Sequence, residues 1–161
     1  MKNELLCALT AGCMLLAAAS PVLALDDTQR CYGVRAGYGR KPDQFVIGVQ
    51  ADLGRVHRWI HFVPSIDAGF GDEMTTITFN GDLKAYLPLP KSSASLYALG
   101  GPALTIWSPK DGDGDTEIGA YLGAGARMAL GESGWYNLEA RFGLGDVPDL
   151  RILLGVLFGG R

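Results

Sequence analysis

From Cys31 onward, apolar side chains recur at every second position, which is the period of a strand and not of a helix. The cleanest run is Gln44 to Gly54. Phe45, Ile47, Val49, Ala51 and Leu53 share one face there, Gln44, Gly48, Gln50, Asp52 and Gly54 the other, and Val46 is the one exception. Ile60 to Phe70 repeats the pattern, with Ile60, Phe62, Ile66, Ala68 and Phe70 against His61, Ser65, Asp67 and Gly69. The alternation returns over 118–130, 136–144 and 150–158, and more loosely over 32–39 and 75–87. Leu96 to Trp107 is apolar on both sides, so its register stays open. Turn-formers separate the runs: Lys41–Pro42–Asp43, Gly54–Arg55, Gly71–Asp72, Pro88 to Ser93, Pro109 to Asp115, Gly131 to Gly134 and Gly145 to Asp149. The pattern predicts eight consecutive antiparallel strands and no helix. Short loops between sequential strands favour an up-and-down meander, and eight strands close into an all-β barrel without a free edge.

Ahead of the strands, a charged start at Lys2–Asn3–Glu4 precedes an apolar run from Leu5 to Ala19 and then Ser20–Pro21–Val22–Leu23–Ala24. This reads as a signal peptide over 1–24, cut after Ala24, followed by one barrel domain over 25–161. A competing reading takes Leu9–Thr10–Ala11–Gly12–Cys13 as a lipoprotein-processing box that attaches lipid to Cys13. Cys7 and Cys13 leave with the signal, so Cys31 has no partner for an internal disulfide. The formal net charge is −3, without the basic excess expected of a nucleic-acid binder. At 48% apolar residues the chain is too hydrophobic for disorder. Gly is the unusual count: 22 of the 23 glycines follow residue 24.

Alternation alone leaves open which face points inward. A lipocalin-type barrel is apolar inside, and an outer-membrane barrel is apolar outside. The polar faces gather Arg35, Lys84, Arg127, Arg141 and Arg151 with Asp52, Asp67, Asp82, Glu117 and Glu139. Equal numbers of opposite charges suit an interior in which ions pair, because an unpaired buried charge is very costly. Glycines on the same faces relieve crowding inside a narrow cylinder. The apolar faces carry no charge, as a lipid-facing wall requires, since a central Lys or Arg there costs roughly 2–4 kcal/mol. Tyr32, Tyr38, Phe45, Phe70, Trp107, Trp135, Tyr136 and Phe158 lie near strand ends. They fit either interfacial girdles or ordinary barrel packing.

With an export signal, eight alternating strands, a Gly-rich polar face and a closing strand from Leu150 to Phe158, the chain resembles the small bacterial outer-membrane β-barrels of the OmpX/OmpA transmembrane type. The resemblance spans 25–161 and is one of pattern, not of a diagnostic motif. It implies a monomeric, non-enzymatic barrel of the cell outer membrane with a plugged polar interior and a structural or surface-interaction role. Its implied partners are outer-membrane lipid, lipopolysaccharide and the barrel-assembly machinery. Both termini would then be periplasmic, and the loops around 40–43, 71–74, 108–115 and 145–149 would face outward. Such barrels usually end on an aromatic residue, whereas Phe158 is followed here by Gly159–Gly160–Arg161. The alternative is a soluble periplasmic lipocalin-like barrel with an apolar ligand inside.

The resemblance also brings lipid A-modifying enzymes into view. Deacylases of this architecture use His and Ser two positions apart, and Val63 stands at that spacing from His61. Palmitoyltransferases carry a helix ahead of the barrel, where this chain has only Leu25 to Arg30. His61, with Ser65 and Asp67 on its face, therefore reads as a polar interior residue and not as a catalytic base. His57, beside Arg55 and Arg58, reads as a basic turn. Asp111–Gly112–Asp113–Gly114–Asp115 followed by Glu117 sets carboxylates at alternate positions, an arrangement able to wrap calcium. Leu122 replaces the Glu that a helix-flanked calcium loop needs twelve positions on, and the same residues suit a solvated hairpin tip. No other cofactor is implied.

Overall fold

The computed structural model describes residues 30–90, 92–131 and 134–159. The stretch over 1–24 read as a signal peptide, including the box at Cys13, lies outside the described residues. The strands are β1 (Cys31–Arg40), β2 (Gln44–Asp52), β3 (Arg55–His57), β4 (Ile60–Phe70), β5 (Met74–Pro88), β6 (Ala94–Pro109), β7 (Asp115–Leu130), β8 (Gly134–Gly145) and β9 (Leu150–Gly159). All pairings are antiparallel, and no helix occurs among the described residues. β1 pairs with β9 along its whole length, from Cys31 opposite Gly159 to Arg40 opposite Leu150, and β2 pairs with β4. The sheet is thus closed, with eight long strands around one interior.

The three-residue β3 is the addition to the predicted set. β2 and β3 share β4: β2 holds its upper part, from Phe45 opposite Phe70 to Gln50 opposite Ser65, and Arg55 stands opposite His61 below. Between them Gly54 takes a φ of +102°, a left-handed conformation that glycine adopts without steric cost. Bonds from Leu53 N to Phe62 O at 3.0 Å and from Phe62 N to Gly54 O at 3.2 Å carry the ladder across the step. One end of the barrel bears the turns 41–43, 71–73, 110–114 and 146–149. The other bears 53–54, 58–59, 89–90, 92–93 and 131, with the start of β1 and the end of β9.

The faces decide between the two kinds of barrel. Phe45, Ile66, Leu122 and Phe142 are 55%, 37%, 54% and 56% exposed, whereas Asp67, Asp82, Arg141 and Arg151 are wholly buried. The apolar set points out and the charged set points in, the reverse of what a lipocalin-like carrier requires. β6, whose register was open, turns Tyr97, Leu99, Ala103 and Thr105 inward and Leu96 outward. Tyr97 faces in because Gly125 stands opposite it on β7; a Cβ there would lie 2.4 Å from the tyrosine ring. Exposed aromatics gather near both ends, with Tyr38, Phe45 and Phe70 in register across three strands at one end and Tyr32, Tyr136 and Phe158 near the other. Trp135 and Trp107 do not join these belts. Trp135 turns inward under Arg127, whose Cζ lies 4.3 Å from its ring, and Trp107 follows Thr105 on the inward face.

Candidate functional site

The interior is filled by ion pairs built from side chains two apart on successive strands, because the pleat sends every second residue inward. Its centre is Arg35 on β1. Nε and Nη2 of Arg35 donate to the two carboxylate oxygens of Asp67 on β4 at 2.8 and 2.7 Å, a bidentate pair. The Arg35 Nη1 reaches Glu139 Oε1 on β8 at 3.2 Å, and Nη2 also donates to the Ser65 hydroxyl at 2.7 Å. Glu139 collects four donors: Arg35, Arg141 through Nε at 2.9 Å, the Tyr97 hydroxyl at 2.9 Å, and Lys84. Arg141 continues to Asp82 at 2.6 Å, and Arg151 reaches Asp67 at 3.3 Å.

Two arginines, Arg141 and Arg151, stand directly opposite each other on β8 and β9. Like charges so placed repel, and the arrangement persists because each turns to its own carboxylate. The Tyr121 ring lies 5.9 Å from one guanidinium carbon and 5.7 Å from the other, within cation–π range.

A second cluster occupies the end of the barrel where β1 begins. His61 Nδ1 lies 2.9 Å from Asp52 Oδ1, and Arg127 Nη1 donates to Asp52 Oδ2 at 3.2 Å. Arg127 also donates to the buried Cys31 sulfur at 3.3 Å, and the Cys31 thiol donates to Gly159 O at 3.3 Å. Gln50 extends the first cluster, accepting from Lys84 Nζ at 3.3 Å and donating to Asn137 Oδ1 at 3.3 Å.

Of the residues singled out in the sequence, Arg35, Asp52, His61, Asp67, Asp82, Lys84, Arg127, Glu139, Arg141 and Arg151 are all buried in these two clusters. Glu117 is not part of them. It lies on β7 beyond Gly119, the last residue paired with β8, and it is half-buried with no ion pair among the described residues. His61 meets Asp52 and not the Asp67 and Ser65 that share its face, since those two belong to Arg35. Asp111, Asp113 and Asp115 are exposed, and among the described residues no three His, Cys, Asp or Glu side chains gather to hold a metal ion. The alternate spacing on an open loop spreads the carboxylates instead of converging them.

Sequence reasoning passed over the neutral partners. Gln44 accepts from the Thr76 hydroxyl at 2.8 Å, Thr78 meets Thr105 at 3.3 Å, and Asn80 donates to Asp67 at 3.0 Å. Gln44, Thr76, Thr78 and Asn80 lie on the polar phase of their strands, so the same alternation was the available signal, whereas Thr105 lies on β6, where both faces are apolar.

No protein-family model matches the chain, and no curated protein matches it significantly. Solved structures do. Neisserial surface protein A superposes with a TM-score of 0.63 at 13% identity, covering 81% of this chain and 95% of that one. The N-terminal β-barrel domain of Pseudomonas aeruginosa OprF gives 0.63 at 14%, covering 82% and 97%. The Yersinia pestis attachment invasion locus protein Ail gives 0.54 at 12%, covering 81% and 95%. At such identities the likeness is one of fold: the closed eight-stranded barrel of small outer-membrane proteins.

Proposed function

We propose that this chain is a non-enzymatic outer-membrane β-barrel protein whose plugged interior serves rigidity and not transport, with its exposed loops left for structural or surface interactions. One observation carries the reading: apolar side chains exposed around the wall enclose buried ion pairs. Soluble monomers rarely expose contiguous apolar patches above a few hundred Å², whereas acyl chains cover such a wall at no cost. Strands of 9 to 16 residues are long enough for a tilted crossing. The two aromatic belts lie where membrane interfaces would meet the barrel.

In this reading the chain is exported by its first 24 residues, inserted by the barrel-assembly machinery as a monomer, and surrounded by outer-membrane lipid and lipopolysaccharide. The turns 41–43, 71–73, 110–114 and 146–149 face outward. Asp43, Asp72, Glu73, Asp111, Asp113, Asp115, Asp146 and Asp149 outnumber Arg40, Lys41 and Lys110 there, so contacts with any anionic partner would depend on cations. An enzymatic role finds little support, because His61 is engaged by Asp52 inside the barrel, away from lipid, with no hydroxyl nucleophile bonded to it.

The test is fractionation with conductance. The protein should remain with outer membranes after alkaline carbonate washing, need detergent for release, and give no stepwise current in a planar bilayer. Release into buffer without detergent would overturn the membrane reading, and regular current steps would overturn the plug.

A further inference from the structure

We propose that the turn formed by β3 and Trp59 binds the phosphate of an anionic phospholipid at the end of the barrel opposite the acidic loops. The inference rests on the outer-membrane reading and adds a ligand site to it. Arg55, His57, Arg58 and Trp59 fall within five residues and all are exposed. The turn is held in shape from three sides. Arg55 is registered opposite His61 on β4, Arg58 N donates to His57 Nδ1 at 2.8 Å, and Tyr86 N on β5 donates to Trp59 O at 2.9 Å. The guanidinium carbon of Arg58 lies 5.5 Å from the centre of the Trp59 ring.

This pairing suits a membrane surface. An indole prefers the boundary between acyl chains and headgroups. A guanidinium whose carbon lies over an aromatic ring has N–H groups left for phosphate oxygens, which it takes two at a time. Around the turn, the described residues 53 to 59 and 88 to 90 include no Asp or Glu, and Arg30 stands at the same end of the barrel. The opposite end is strongly acidic, so an anionic headgroup is drawn to one rim and repelled from the other. Exposed Leu87, 65% accessible, continues the apolar wall beside the turn and would meet the same lipid's acyl chain.

The experiment uses the full chain folded into equimolar phosphatidylglycerol and phosphatidylcholine vesicles, with W107F and W135F leaving Trp59 as the only tryptophan. Bromine is carried on the acyl chains of one lipid at a time. Trp59 should be quenched about threefold more by brominated phosphatidylglycerol than by brominated phosphatidylcholine, and R55Q/R58Q or high salt should make the two equal. Equal quenching with both arginines present would overturn the site. Absence of quenching by either lipid would instead overturn the membrane reading itself. If the tryptophan substitutions prevent folding, native mass spectrometry of the unaltered chain supplies the same choice. Retained phosphatidylglycerol that disappears in R55Q/R58Q supports the site, and equal retention of both lipids removes it.

Discussion

Arg35 reaches Asp67 across the position of Gly48, which stands between them in register on β2. The two partners belong to strands that are not neighbours, and a Cβ at 48 would lie 2.1 Å from Asp67 Oδ1. The missing side chain is the passage through which the guanidinium meets the carboxylate.

Gly48→Ala should therefore break the bidentate pair as well as crowd the wall, lowering stability by about 3 kcal/mol. Gly39→Ala is the control, because a Cβ there meets nothing nearer than 3.5 Å. Urea unfolding in detergent micelles should show a large drop in midpoint for the first and a change below about 1 kcal/mol for the second. Equal losses would mean that glycine acts here through the unfolded chain and not through this contact.

Asp67 holds both Arg35 and Arg151; Arg35 keeps a second carboxylate in Glu139, and Arg151 has no other ion-pair partner among the described residues. Asp67→Ala leaves two buried guanidiniums short of a counter-charge and should cost about 3–5 kcal/mol. Replacing Arg35 and Asp67 together by Met and Leu should cost less than the sum of the single changes, since a buried pair exchanged for apolar groups of similar volume is often close to neutral. The double-mutant cycle measures that difference, and additivity would remove the pair from the stability account.

Leu122, exposed near the middle of β7, separates lipid from water as the surroundings of the wall. Leu122→Arg should cost about 2–4 kcal/mol in a bilayer. On a water-facing surface the same change would stay within about 0.5 kcal/mol. Thermal unfolding in vesicles reads the outcome, and a neutral result there would speak for a solvated wall.

The loop carboxylates should matter little to stability. Because Asp111, Asp113 and Asp115 do not converge, D111N/D113N/D115N should leave the unfolding midpoint within about 0.5 kcal/mol, with calcium or with a chelator. A calcium-dependent rise in the wild-type midpoint, lost in the triple variant, would instead show a metal loop.

What the sequence made legible was the face of each residue, and with it strand number, orientation and the ten buried charged and His residues. Period two is enough for that, since Ile66 and Asp67 cannot share a side of the wall. It carries no depth or register. Asp52, Asp67 and His61 occupy one phase, and only the offset of β2 against β4 assigns His61 to Asp52. Where both faces are apolar, as in β6, choice falls to the strand opposite: Gly125 admits the Tyr97 ring and so sets that side inward. Glu117 shared the inward phase but lies past the point where β8 ends. β3 left no alternating run to notice, being three residues made by a step at Gly54.

Cys31 lies opposite Gly159, so the first strand and the last are mates although 128 positions separate them. Until that seam is sewn, every intermediate carries two raw borders with unsatisfied amides, and no smaller ring is available to hide them. The arrival of Leu150 to Gly159 thus turns a sticky ribbon into a wall, and a chain lacking them should pile up with its own kind.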